Sequence, residues 1–140
     1  MSGETLVVLG HAGATWFMVG LIWFVQIVHY PLMRTVGVPR WLEYEARHTA
    51  RTTWVVAPTM FVELGTAVLL AWQFRSDAWS WIAFAALGLV WAATFLWLVP
   101  LHGRLSRGHD EKLIVALARA NWLRTILWSG RGVYALSLLT

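Results

Sequence analysis

Apolar residues fall into four long blocks, at 5–28, 54–72, 79–101 and 113–139, the last interrupted by polar positions. A membrane-spanning helix takes roughly 20 mostly apolar residues at about 1.5 Å rise each. The pattern predicts four helices, about 5–30, 41–74, 78–101 and 111–139, in a single domain over residues 1–140. Pro31 ends the first helix, because its ring disfavours helical geometry at the residue before it. The opening MSGETLVVLGHAG has no basic n-region, so the first block reads as a retained helix. The second helix is longer than a crossing requires. Its first turns, WLEYEARHTART, are amphipathic and suit the headgroup region, and Pro58 is expected to bend it and free the carbonyl of Trp54. RSDAWS forms a tight turn, and Asp110 is placed to cap the fourth helix. Short connections give an all-α, up-down-up-down four-helix bundle with sequential neighbours antiparallel. No internal repeat or low-complexity segment is evident.

Composition sharpens this picture. The chain is 59% apolar and 13% charged, too little charge to clothe a soluble domain. The side holding the first and third connections carries Arg34, Arg40, Arg47, Arg51, Arg104, Arg107 and Lys112, whereas the other carries Arg75 alone. By the positive-inside rule both termini face away from the cytoplasm. The basic pI of about 10.4 then reports topology, not nucleic-acid binding. Eleven tryptophans include Trp41, Trp54, Trp72, Trp79 and Trp81 near helix ends, as in an interfacial belt. The absence of cysteine excludes disulfides, thiolate metal sites and cysteine nucleophiles.

Polar residues inside the apolar blocks carry the chemistry. His11 and His29 are 18 residues apart, five full turns, and so share a face with Thr15 and Gln26. Glu45, His48, Thr52, Thr59 and Glu63 repeat this geometry on the second helix, and Asn121, Arg124, Trp128 and Arg131 form one stripe on the fourth. The third offers only Thr94 and, past Pro100, His102. Hydrocarbon does not solvate such groups, so the lines must face one another along the bundle axis. The deeper zone holds Glu63 with Arg124 or Arg131 as counter-ion, which leaves the other arginine seeking an anion such as an acidic or phenolate ligand. Near the cytoplasmic boundary His29, His48 and His102 gather, with Glu45 and His109 close by.

Three readings of the histidine cluster stand open. One is a metal site for iron, copper or zinc, with His29, His48, His102 and Glu45 as ligands. Glu45-x-x-His48 has the carboxylate–histidine spacing of di-iron bundle helices, although it occurs only once. Another is haem b, held by His29 with His48 or His102. The third leaves the imidazoles hydrogen-bonded and unliganded. Glu63 is equally a proton carrier or half of a structural ion pair. No nucleophile–base arrangement or phosphate-cradling glycine loop is present, and EARHT lacks the H-E-x-x-H order.

VHYP, RHTART, PTMFVELGTA, VPLHGRLSRGHD and NWLRTILWSGR together resemble a family of small bacterial four-helix integral membrane proteins, over most of the chain. More distantly, Asn121 to Thr125 (N-W-x-R-T) is similar to the last helix of the anthrone-oxygenase-like membrane proteins. That resemblance implies an oxygenase or related oxidoreductase acting on a lipophilic aromatic substrate, with Asn121 and Arg124 at the site beside nearby histidines. The resulting expectation is a multi-pass protein of the bacterial inner membrane. It is an oxidoreductase with a metal or haem site at His29, Glu45, His48 and His102, and Glu63, Asn121, Arg124 and Arg131 surround a lipophilic small molecule. Two competitors are a proton-coupled transporter using Glu63 and a non-catalytic subunit of a larger complex or homo-oligomer. The subunit would pack through the small residues Ala83, Ala85, Ala86, Gly88, Ala92 and Ala93.

Overall fold

A computed structural model describes residues 2–140, and these form four helices and no strand. Helix α1 spans Gly3–Met33, α2 Val38–Gln73, α3 Ala78–Leu105 and α4 Glu111–Ser137. The first three are long and apolar enough to cross a membrane, consistent with an integral membrane protein. The polar residues of α4 keep it out of that set. Starts are capped as short polar side chains dictate: Ser2, Asp77 and Asp110 each accept from backbone N–H groups of the first turn. Pro39 sits in the first turn of α2, where its missing N–H costs no helical bond, so that helix begins three residues earlier than expected.

Pro31 behaves differently from expectation. Neither Pro31 nor Pro100 ends its helix; α1 runs on to Met33 and α3 to Leu105. A π-helical turn precedes each one, at Val25–His29 and Thr94–Leu98. Within these turns Tyr30 N–H bonds the carbonyl of Val25, and Val99 N–H that of Thr94. A proline ring crowds the carbonyl four residues back and offers it no donor. Widening the preceding turn to i→i+5 bonding changes that register and lets the helix continue. The same device thus recurs at 25–31 and 94–100, a likeness between α1 and α3 that residue identities conceal. Pro58 lies within α2, which is helical throughout.

Side-chain contacts set the helix order. Thr15 meets Glu63 while His11 meets Thr66, so α1 and α2 run in opposite directions. Trp23 meets Ser129 and Gln26 meets Asn121, which reverses α4 relative to α1. Helix α1 packs closely on α2 and α4, and α4 on α3, whereas α2 and α3 meet more loosely. Connections 34–37 and 106–110 therefore share one end of the bundle, here termed the loop end.

Apolar packing forms two layers. At the loop end Met33, Trp41, Leu98, Leu105, Ile114 and Leu117 are buried together, and further along Met18, Ile22, Met60, Val90 and Trp128 form a second cluster. Trp54, Trp72, Trp79 and Trp81 face outward, but Trp41 does not. It is fully buried, and its indole N–H donates to the carbonyl of Leu105 at 2.8 Å. Its place in the interfacial belt is thus corrected: it satisfies a helix-end carbonyl inside the core. On α3, Ala83 and Ala93 are buried within the chain, while Ala85, Gly88 and Ala92, spaced i, i+3 and i+7, share one outward face.

Gly132 marks the closest approach of α4 to α1. A Cβ there would lie 3.1 Å from Val19 Cγ2 and 3.5 Å from Trp16, whereas Gly130 faces open space. Gly132→Val should lower stability by about 1–3 kcal/mol through overpacking, and Gly130→Ala should leave it unchanged or slightly raised. Thermal unfolding of both variants in detergent checks the contrast.

Candidate functional site

Every helix contributes to a polar core around Glu63. This carboxylate is fully buried. Its Oε1 accepts from Thr15 Oγ1 at 2.9 Å and from Arg131 Nε and Nη2 at 3.2 and 3.0 Å, and its Oε2 accepts from Trp128 Nε1 at 2.9 Å. Arg131 Nη1 donates to the carbonyl of Ala83, which ties α3 into the network. Thr66 donates its hydroxyl to the carbonyl of Val62 at 2.8 Å, so it accepts from His11 Nδ1–H at 3.0 Å. That proton placement leaves the Nε2 lone pair of His11 facing Arg131 Nη2 at 3.5 Å. Donors and acceptors match throughout. Arg131 is the counter-ion of Glu63, and the pair spans the bundle between α2 and α4.

Arg124 is left over. Only 8% exposed, it stacks its guanidinium over the Trp128 ring at 5.0 Å. Among the described residues it makes no ion pair, and its buried Nε has no hydrogen-bond partner. One turn nearer the loop end, Asn121 Nδ2 donates to Gln26 Oε1 at 3.0 Å, and Gln26 Nε2 donates to the carbonyl of Ala118 at 3.2 Å. These amides clamp α1 to α4, while Asn121 Oδ1 stays unpartnered.

A second polar cluster occupies the loop end. Glu45 is fully buried, and its Oε1 lies 2.7 Å from His102 Nδ1, an α2–α3 link. His29 and His48 stack with ring centroids 4.2 Å apart, His102 lies 5.5 Å from His48, and Tyr44 adds a fourth ring 6.0 Å from His48. Thr52 orients His48 through Nδ1 at 3.1 Å. Two buried atoms here lack partners, His29 Nε2 and Glu45 Oε2. All four expected ligands thus come together from three helices. His29 and His48 lie face to face with no gap for a flat macrocycle between them, and His102 is tilted against His48. Among the described residues no group of three or more His, Asp or Glu side chains is arranged to hold a metal ion. His109 stands apart, edge-on to Trp41 at 4.8 Å, instead of joining the cluster.

Two cavities meet at His48. A cleft of about 450 Å³ lies along the loose α2–α3 seam, running from His48, His102 and Ser106 to Trp91 and Arg124. A cavity of about 780 Å³ is lined by His29, Tyr44, His48, Arg40, Arg47 and Arg51. Thr52 lines both, as does His48. Tyr44 and Trp91 were not among the expected residues. The position of Tyr44 four residues before His48 puts them on one helix face, a signal that was legible. Trp91 resembles its ten counterparts in sequence and carries no such mark. No known protein family, curated protein or solved structure matches this chain.

Proposed function

We propose that the protein is a multi-pass oxidoreductase of the bacterial inner membrane, with both termini outside the cytoplasm, acting on a lipophilic substrate. A metal ion bound near His29, Glu45, His48 and His102 would supply its redox chemistry. The reading rests on one observation: three imidazoles and a buried carboxylate converge where the α2–α3 cleft meets the arginine-lined cavity. The partnerless His29 Nε2 and Glu45 Oε2 are donor atoms suited to a divalent first-row metal. The weak similarity of Asn121 to Thr125 to the anthrone-oxygenase-like proteins points the same way.

Glu63 supports the proton-carrier alternative poorly, since its oxygens already accept four hydrogen bonds and an arginine balances its charge. Elemental analysis with an absorption spectrum of gently purified protein tests the proposal. Stoichiometric metal, reduced at least tenfold by His48→Ala or Glu45→Ala, is the expected result. Folded protein containing neither metal nor a Soret band overturns it.

A further inference from the structure

Arg124 lies about 20 Å along α4 from Glu111, at 1.5 Å per residue, deep inside the apolar part of the bundle. A guanidinium without a counter-ion in such a place is expensive, and the general solution is an opposite charge beside it. Among the described residues none pairs with it: Glu63 is bound to Arg131, Glu45 lies against His102, and no carboxylate lines the cleft. Trp91 presents a second unmet need in the same cleft, because its indole N–H is buried without an acceptor. The hydroxyl of Thr94 is already given to the carbonyl of Val90 at 2.8 Å. Among the cleft-lining residues, the buried atoms without partners are therefore both donors, Arg124 Nε and Trp91 Nε1.

Around these donors the walls are apolar, built by Val56, Met60, Phe61, Phe95, Leu98 and Val99. Phe61, Phe95 and Val99 are exposed on the outer surface, so the cleft opens sideways, where acyl chains would surround the protein. Its volume falls in the range of small-molecule sites.

We infer that this cleft binds a lipophilic carboxylate, a long-chain acid that enters sideways from the bilayer and presents its head to Arg124 and Trp91. A carboxylate pairs well with a guanidinium fork, and Trp91 lines the same cleft as Arg124. The inference names the substrate class for the site proposed above and rests on reading the cleft as its entrance.

Binding of carboxyl-¹³C palmitate to the full chain in phosphatidylcholine nanodiscs, followed by NMR after metal removal with a chelator, tests it apart from turnover. Saturable binding is expected, at least tenfold tighter than binding of methyl palmitate, which lacks the charge. Arg124→Gln should weaken it at least tenfold and Trp91→Phe several-fold. Equal binding of the methyl ester, or unchanged binding by a folded Arg124→Gln variant, overturns the inference. So does displacement of palmitate by a small mole fraction of phosphatidylglycerol, which would assign the site to a phospholipid headgroup. Should Arg124→Gln fail to fold, the ester comparison on the unaltered protein and the Trp91→Phe variant decide between binding and its absence. Palmitate bound by a protein that never contains metal would leave this inference standing and remove the oxidoreductase reading.

Discussion

Glu63→Ala is expected to lower unfolding stability by about 3–5 kcal/mol, the cost of leaving a buried charge without its partner. The substitution strands Arg131, which is only 3% exposed, and removes the acceptor for Thr15 and Trp128. Replacing both members, as in Glu63→Leu with Arg131→Met, should recover most of the loss, because well-packed apolar residues often match or exceed a buried ion pair. Unfolding titrations in mixed micelles give both numbers. Recovery in the double variant identifies the pair as a structural tie across the bundle. If Glu63→Ala were as stable as the parent chain, the pair would not tie the bundle together. A double variant that is stable yet stops proton flux in vesicles would return Glu63 to a transport role.

Trp41→Ala should cost a similar amount, about 3–5 kcal/mol, through the cavity left by a fully buried indole. Trp41→Phe keeps most of the packing and loses the bond to the carbonyl of Leu105, so about 1 kcal/mol is expected. The larger change should also reach the histidine cluster. Trp41 fastens the start of α2 to the end of α3, one turn from the Glu45–His102 contact. Thermal unfolding ranks the two variants, and an equal loss in both would mean that the hydrogen bond and not the packing dominates.

Much of the interior was legible because hydrocarbon and polar side chains are incompatible whatever the details of packing. His11, Thr15, Gln26, Glu45, Glu63, Asn121, Arg124 and Arg131 lie on predicted polar faces, and all are buried. Position near a helix end does not reveal whether a ring faces outward or caps a carbonyl, as Trp41 does, and the path of its loop puts His109 against Trp41 instead of the cluster. The continuation past Pro31 was not legible because a π-helical turn leaves no composition signature, and one inserted residue rotates everything beyond it by about 100°.

Sequence by itself determined that the chain is helical, that its long apolar helices suit a bilayer, and that their polar lines turn inward, since each of these follows from one segment and its solvent. Only the tertiary structure decided that Arg131 and not Arg124 pairs with Glu63, that the imidazoles stack, and that a cleft opens between α2 and α3. Pairing depends on the relative depth of two helices, and each residue of register moves a side chain by about 1.5 Å along the axis. That depth is set by packing and by the path of the loops.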